Sequence, residues 1–208
     1  MMPGVEGMNQ KELKEIFKEA SKLMIKEEDW CRNLIYPKVG GKVKIREPEA
    51  RYAITMILTD RGIKFGIETP TKGKYIISGS TPDRGNMDIV IFSDDKEYNI
   101  ELKEGQAKIR GIAKDFKKMF GENADGYAFF NILESSNRRT LPELLKKYQR
   151  AYDAEKGASA PKSPKWFVLF ILVRKKKQAY WKVFDNIVGI SGNEFEGVVA
   201  HPFDLTQL

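Results

Sequence analysis

The residues with the clearest capacity for chemistry stand on two neighbouring runs near the middle of the chain. Asp88 precedes the apolar run Ile89–Phe92, and Glu101 and Lys103 stand in the run Tyr98–Gly105. Because alternate residues of a strand face the same way, Glu101 and Lys103 share one face. If the two runs pair through the short turn between them, Asp88 lies beside both. Two carboxylates and an ammonium then converge at one edge of a sheet.

A cluster of this kind is unfavourable unless its charges are paired or bound to a metal ion. Two close carboxylates repel each other, and a divalent cation removes that repulsion. Mg²⁺ binds one or two carboxylates, keeps several waters and bridges to phosphate oxygens. Lys103 beside such an ion could position or deprotonate a metal-bound water. The pattern therefore indicates metal-assisted hydrolysis of a phosphodiester, with Mn²⁺ as a substitute for Mg²⁺.

The amino-acid composition narrows the possible metal. Cys31 and His201 are the only cysteine and the only histidine. An intrachain disulfide, zinc sites with several Cys and His ligands, and nuclease chemistries that need two histidines are therefore excluded. A metal ion here must be held mainly by oxygen, which favours Mg²⁺ or Mn²⁺. The single cysteine also suits a reducing cytoplasm, where we expect the protein to reside.

Charge and hydropathy indicate the partners. With 36 Lys and Arg against 29 Asp and Glu, the chain carries a net charge of +7, which favours polyanions such as DNA. Candidate contacts to the nucleic acid are Arg84, Arg174, Lys175 and Lys176. A hairpin tip charged to discourage edge pairing is the alternative interpretation of the last three. No apolar run approaches the roughly 18 residues of a membrane span, so we expect no membrane partner.

Apolar periodicity predicts an alternation of helices and strands. The predicted helices are Asn9–Glu28, Pro48–Gly62, Gln106–Phe120 and Leu141–Glu155. The predicted strands are Ile63–Glu68, Tyr75–Ser78, Asn86–Phe92, Tyr98–Gly105, Tyr127–Leu133, Trp166–Val173 and Ala179–Phe184. We expect Thr69–Lys74 to turn and Ser80–Asn86 to form a loop. Residues 1–208 are expected to form a single α/β domain.

An Asp on one strand, followed by Glu-x-Lys on the next and preceded by a helix, resembles the PD-(D/E)xK nuclease superfamily. The helix–strand–strand–strand–helix–strand order of Pro48–Leu133, less than half of the chain, is similar to its restriction-endonuclease-like core. The resemblance implies a central mixed sheet flanked by helices. It divides the chain into an N-terminal helix and connection (1–41), a nuclease-like core (42–135), and a helix, hairpin and C-terminal extension with further strands (136–208).

The resemblance also implies roles for the central residues. Asp88 and Glu101 match the metal-binding carboxylates, and Lys103 matches the catalytic lysine. Asp83, in the literal Pro82-Asp83 pair, is the rival of Asp88, although it lies in a Gly-rich loop before the strand.

Three weaker matches lie near this centre. Glu49, in the first turn of the preceding helix, matches a helical metal-binding glutamate, with Glu47 as its rival. Glu68, at the end of the first strand, matches a further metal-binding acid. Gln106, three residues after the lysine, matches a polar substrate-contacting position.

The surrounding sequence makes the motif of Asp88, Glu101 and Lys103 more specific than the triplet (D/E)xK alone. The triplet (D/E)xK occurs four times, but only Glu101–Lys103 stands in an apolar strand after a strand led by Asp. In the alternative, purely structural interpretation, Asp88 is a turn residue, and Glu101 and Lys103 form an exposed cross-strand pair.

The expected function is that of a Mg²⁺-dependent endonuclease acting on DNA, with a homodimer as a candidate assembly. The first alternative is a nucleic-acid-binding or assembly module of the same fold without activity. The second is an enzyme that acts on another phosphate ester.

Overall fold

The structure, a computed structural model, describes residues 8–25, 38–39, 42–43, 45–75, 82–156, 164–185, 187, 190–200 and 202–205. Cys31, His201 and the ends of two predicted elements, residues 26–28 and 76–78, lie outside this part of the chain.

In the residues that the structure describes, five α-helices accompany nine strands. The helices are α1 (Gln10–Ile25), α2 (Glu47–Asp60), α3 (Ile109–Gly121), α4 (Thr140–Glu155) and α5 (Gly192–Glu196). The strands are β1 (Lys38–Val39), β2 (Lys42–Val43), β3 (Lys64–Tyr75), β4 (Asp83–Ser93), β5 (Lys96–Glu104), β6 (Gly126–Leu133), β7 (Trp166–Val173), β8 (Gln178–Phe184) and β9 (Phe203–Asp204). Among these helices, none is both long and apolar enough to cross a membrane.

One mixed sheet organises the molecule. Its strand order is β3-β4-β5-β6-β7-β8-β9, and β1 and β2 form a separate pair. The pairs β5–β6 and β6–β7 are parallel, whereas the other pairs are antiparallel. The predicted α/β class, with a central mixed sheet flanked by helices, is confirmed in this general form. The strands after residue 136 continue the same sheet, so the C-terminal part of the chain completes the central layer.

Helices cover both faces of the sheet. Side chains of α1 and α2 pack on one face against Ile100 and Phe130, while α3, α4 and α5 pack on the other against Phe129 and Phe167. Every residue of β6 is buried, as expected for a central strand covered on both sides. Since alternate residues of a strand share a face, Glu101 lies on the same side of the sheet as its β6 partner Phe129, the side that α3 covers.

The edge strand β3 departs from the prediction. The turn expected at Thr69–Lys74 is instead part of one long strand. Pro70 lies opposite Asn86 and Lys74 opposite Arg84, so three residues on β3 face one on β4. A bulge of this kind absorbs the extra residues without ending the strand. The same pairing draws residues from Asp83 onward into β4, where a loop was predicted.

Other boundaries differ by a few residues. Helix α1 begins as predicted, because the Asn9 side-chain Oδ1 accepts hydrogen bonds from the backbone N–H groups of Lys11 (2.9 Å) and Glu12 (3.1 Å). Helix α3 begins at Ile109 rather than Gln106, because the backbone of Lys108 is extended. The short elements β1, β2, α5 and β9 were not predicted.

Candidate active site

A polar cavity of about 340 Å³ opens between α3 and the ends of β4 and β5. The residues that line it carry both signs of charge: Glu47, Glu68, Arg84, Gly85, Asn86, Asp88, Glu101, Lys103, Lys114, Asp115 and Lys118. The three central residues of the sequence motif therefore do lie together. The antiparallel register brings them there: Ile89 lies opposite Ile100, so Asp88, which precedes Ile89, lies beside Glu101, which follows Ile100.

Asp88 is fixed by the neighbouring strand and by a cation. Its Oδ2 accepts a hydrogen bond from the backbone N–H of Leu102 at 2.7 Å, and its Oδ1 lies 2.9 Å from Nη2 of Arg51. Asp88 lies within β4 and is not a turn residue. Its carboxylate is thus held in one orientation, with 15% of the side chain exposed toward the cavity.

Arg51 of α2 joins two acids that the sequence had suggested separately. Its Nη2 lies 2.5 Å from Oε1 of Glu68 and 2.9 Å from Oδ1 of Asp88. Glu68 has a backbone φ of +48°, in the left-handed region that costs a non-glycine residue energy and often occurs at functional sites. Sequence reasoning missed Arg51. Arg51 stands four residues after Glu47, so the two side chains share one face of the helix. This spacing was the sequence signal that could have placed Arg51 near the site.

Glu101 is buried, with 2% of its surface exposed. Its Oε1 forms an ion pair with Lys118 and accepts a hydrogen bond from the Tyr127 hydroxyl at 3.2 Å. Burial and the nearby charge of Asp115 raise the pKa of Glu101, whereas the ammonium of Lys118 opposes that rise. Glu101 is therefore not a solvated surface residue.

Lys103 is also largely enclosed. Its Nζ lies 2.9 Å from Oδ2 of Asp115 and donates to the carbonyl oxygen of Leu102 at 2.9 Å. Burial by itself lowers the pKa of Lys103, but the charges of Asp115 and Glu101 more than offset this, and the pKa lies above its usual range. The ammonium stays protonated at neutral pH. A protonated ammonium can orient a ligand and offset negative charge, but it cannot accept a proton from a water.

Asp115 and Lys118 are site residues that the sequence reasoning missed. They are three residues apart on α3, and Lys118 Nζ lies 3.2 Å from Oδ1 of Asp115. Asp115 occupies a position on the apolar stripe of the helix, between the buried residues Ile112 and Met119. A charged residue on such a stripe needs a buried partner. The position of Asp115 on the stripe was therefore the sequence signal that could have identified it.

The two acids at the start of α2 lie in different surroundings. The Glu49 Oε2 accepts a hydrogen bond from the backbone N–H of Arg46 at 2.7 Å, so Glu49 caps the helix and is not a metal ligand in this arrangement. Its rival Glu47 lines the cavity. Burial and the charge of Asp88 raise the pKa of Glu47, and Lys103 works against them.

Substitutions at these two positions should affect different properties, namely stability for Glu49 and Mn²⁺ binding for Glu47. We expect Glu49→Ala to lower the free energy of unfolding by about 1 kcal/mol, the usual cost of a lost cap, and to leave Mn²⁺ affinity unchanged. Glu47→Gln should weaken Mn²⁺ binding without destabilising the protein. Urea denaturation and Mn²⁺ titration of both variants measure this. Weaker Mn²⁺ binding by Glu49→Ala alone would restore Glu49 as the ligand.

The raised pKa of Glu47 also makes stability depend on pH. From about its ordinary pKa of 4.5 up to its higher folded value, the folded protein binds more protons than the unfolded chain. Stability contributed by this group therefore falls as pH rises. Glu47→Gln should gain stability relative to wild type over that range, by less than about 1 kcal/mol. Urea denaturation at pH 4 to 8 tests this, and a difference independent of pH would contradict it.

Of the side chains expected to contact nucleic acid, only some lie at the cavity. Arg84 lines the cavity. Gln106 instead ties the connection after β5 to α4, since its Nε2 donates to the carbonyl oxygen of Thr140 at 2.5 Å and its Oε1 accepts from Lys147 at 3.1 Å. This geometry directs the Gln106 side chain to α4 and not to the site.

The basic run after β7 is only partly accessible. Arg174 has 5% of its surface exposed, and its guanidinium makes two hydrogen bonds to Glu134, at 2.7 and 2.8 Å. It is a structural residue and is not available to a phosphate in this arrangement. Lys175 and Lys176 are exposed at the end of β7, two strands away from β5.

The donor chemistry of the cavity fits a hard divalent cation. Asp88 and Glu101 both contribute carboxylate oxygens to it, and such oxygens are the ligands that Mg²⁺ prefers. Both carboxylates already have a protein cation as a partner, Arg51 and Lys118 respectively. In the described part of the chain, no three Asp, Glu, His or Cys side chains are arranged as a ready-made metal centre. Binding of an ion at Asp88 and Glu101 therefore requires side chains to adjust.

Comparisons with known proteins add little. No family model matches the chain, and no curated protein matches it. Among solved structures, the chain is similar to one described as the central domain of yeast acetyl-CoA carboxylase, with 8% sequence identity and a TM-score of 0.40. The likeness covers 94% of this chain and 32% of that one, so the chain spans about a third of its length. A likeness this low carries no argument about function.

Proposed function

We propose that the protein is a Mg²⁺-dependent nuclease that hydrolyses phosphodiester bonds in DNA. The observation that carries the proposal is the convergence of Asp88, Glu101 and a protonated Lys103 on one polar cavity. The element order of Glu47–Leu133, one helix, three strands, a helix and a strand, supports it. This is the order expected of a restriction-endonuclease-like core, which we propose for the region 42–135.

Each residue of the cavity has its own role in this proposal. Asp88 and Glu101 would hold the ion, with Glu47 or Glu68 as a further ligand. When bound, Mg²⁺ supplies a Lewis acid to the scissile phosphate and makes a coordinated water more acidic. Lys103 orients the attacking water and offsets the negative charge that develops on the phosphate oxygens. Arg84 and Lys114, which line the same cavity, bind the phosphates beside the cleaved bond.

DNA as the substrate rests on the charge of the chain. A net charge of +7 attracts a polyanion, and phosphate contacts by Lys and Arg supply much of the affinity of such complexes. The exposed Lys175 and Lys176 add two cationic side chains outside the cavity. A homodimer, in which two sites face the two strands of a duplex, is part of the same proposal.

The test is incubation of the protein with plasmid, branched and single-stranded DNA in the presence of Mg²⁺ or Mn²⁺. We expect cleavage that EDTA abolishes and that Lys103→Met reduces by roughly 10²-fold or more, the usual scale for one electrostatic catalytic group. Lys117→Met is the matched control, because Lys117 lies on α3 and does not line the cavity. No cleavage of any substrate, or equal cleavage by Lys103→Met, would contradict the proposal.

A second candidate function is a nucleic-acid-binding module without activity. The pairing of Asp88 with Arg51 and of Glu101 with Lys118 favours it, because both acids are neutralised without a metal. Such a module would bind DNA equally well in EDTA and in Mg²⁺, and Asp88→Asn would leave its affinity unchanged. Filter binding or fluorescence anisotropy with wild type and Asp88→Asn distinguishes the two functions.

A further inference from the structure

The ammonium of Lys118 lies in a small site built from oxygens. Its Nζ forms an ion pair with Glu101, lies 3.2 Å from Oδ1 of Asp115, and donates to the carbonyl oxygen of Asn86 at 3.0 Å. An ammonium has three N–H donors, so each has an acceptor here. With 2% of the side chain exposed, Lys118 is a buried cation enclosed by protein oxygens.

The two carboxylates of this site also have partners other than Lys118. Tyr127 donates to Glu101 at 3.2 Å from the sheet, and Lys103 lies 2.9 Å from the other oxygen of Asp115. Together, Glu101 and Asp115 carry two negative charges, and Lys103 and Lys118 carry two positive ones. The buried half of the cavity is therefore neutral and needs no further cation.

The opposite half of the cavity contains three further carboxylates, and no lysine among the described residues fills it. Asp88, Glu68 and Glu47 supply three carboxylates there, and Arg51 is the cation that bridges the first two. This half is also more exposed, since the side chain of Glu68 is 48% exposed. An entering divalent cation therefore meets an exposed group of carboxylates on the Asp88 side. On the Asp115 side it meets a position that Lys118 already fills.

We propose that the Lys118 ammonium is the built-in cation of the position between Glu101 and Asp115, so that a divalent ion is admitted only on the Asp88 side. The single divalent ion rests on the proposed function, whereas the part of Lys118 rests on its contacts. Lys118 is thus a positioning residue. It holds Glu101 and Asp115 in place, and Asp115 in turn holds Lys103.

Removal of the ammonium should convert the position into a metal site. Lys118→Met keeps the apolar stem of the side chain and leaves two buried carboxylates and a carbonyl oxygen around the vacated point. Oxygen ligands of this kind suit Mn²⁺ and Mg²⁺. Without an ion, the unpaired carboxylates should strongly destabilise the variant.

The experiment is a titration with Mn²⁺, followed by electron paramagnetic resonance of the free ion, together with thermal melting in EDTA and in Mn²⁺. We expect one bound Mn²⁺ per chain for wild type and for the control Lys117→Met, and two for Lys118→Met. Lys118→Met should melt well below wild type in EDTA and recover much of the difference in Mn²⁺, since a ligand that binds the native state raises the melting temperature.

The possible outcomes separate this inference from the proposed function. Two Mn²⁺ per wild-type chain would overturn the inference, and so would an unchanged count in Lys118→Met. Failure of Lys118→Met to fold even in Mn²⁺ would also overturn it, because the ion then does not replace the ammonium. A count of none in wild type and one in Lys118→Met would support the role of Lys118 and would contradict the metal-dependent nuclease.

Discussion

Asp88→Asn is expected to reduce cleavage of DNA by roughly 10³-fold, at the upper end of the effect of one lost electrostatic group in a catalytic site. The amide oxygen can still accept the hydrogen bond that Leu102 N–H donates to Asp88. What disappears is the negative charge that would hold the divalent ion. The loss should therefore be one of chemistry and metal affinity, with the fold retained.

The substitution has a matched control in the turn between β4 and β5. Asp94→Asn makes the same chemical change at an exposed residue with φ +50°, a conformation that Asn tolerates well. Cleavage rates with Mg²⁺ and melting temperatures in EDTA and Mn²⁺ compare the two variants. Asp94→Asn should match wild type throughout, whereas Asp88→Asn should lose both cleavage and most of the Mn²⁺-dependent shift. Undiminished cleavage by Asp88→Asn would remove Asp88 from the site.

Phe116→Ala is expected to lower the free energy of unfolding by roughly 3–5 kcal/mol, the typical cost of deleting a large buried aromatic side chain. The ring of Phe116 is fully buried on α3. Its centroid lies 4.8 Å from that of Phe129, 5.7 Å from Tyr152 and 5.8 Å from Phe167. The substitution therefore leaves a cavity where α3 packs against the sheet and α4.

The effect should extend to the site, because Phe116 is adjacent to Asp115 on the helix that delivers both Asp115 and Lys118. Urea denaturation of the purified variant measures the loss of stability. Phe92→Ala is the control, since Phe92 is 38% exposed at the end of β4, and we expect it to cost less than about 1 kcal/mol. A loss below about 1 kcal/mol in Phe116→Ala would mean that the aromatic cluster does not anchor α3.

The convergence of Asp88, Glu101 and Lys103 could be predicted because it depends on local geometry. The two strands are joined by a short turn, and the alternation of side chains in each strand fixes which residues share a face. The long apolar runs of β6 and β7 were recognisable for the same reason, since strands buried on both faces read as nearly continuous apolar sequence.

The partners of these residues could not be predicted in the same way. Arg51, Asp115 and Lys118 reach the cavity only because α2 and α3 pack on particular parts of the sheet. Periodicity shows that Asp115 lies on the buried stripe of its helix, but it does not show what Asp115 meets. The cations that neutralise Glu101 and Asp88 are brought there by tertiary packing, and spacing within a helix does not show which acid each of them meets.

The choice between Glu47 and Glu49 was similarly out of reach. Residues two apart on a helix point in directions that differ by about 200°, so one of the two faces the cavity and the other does not. Their identical chemistry gives no indication of which. The hydrogen bond from Arg46 N–H to Glu49 decides the matter, and it depends on how the chain enters α2.

The most direct test of the proposed metal site at Asp88 and Glu101 is a crystal structure of the protein soaked with Mn²⁺, with the ion located by its anomalous scattering. We expect one strong peak in the polar cavity, within bonding distance of carboxylate oxygens of Asp88 and Glu101, with Lys118 still between Glu101 and Asp115. A cavity without a peak at saturating Mn²⁺, or an ion bound only elsewhere on the molecule, would contradict it.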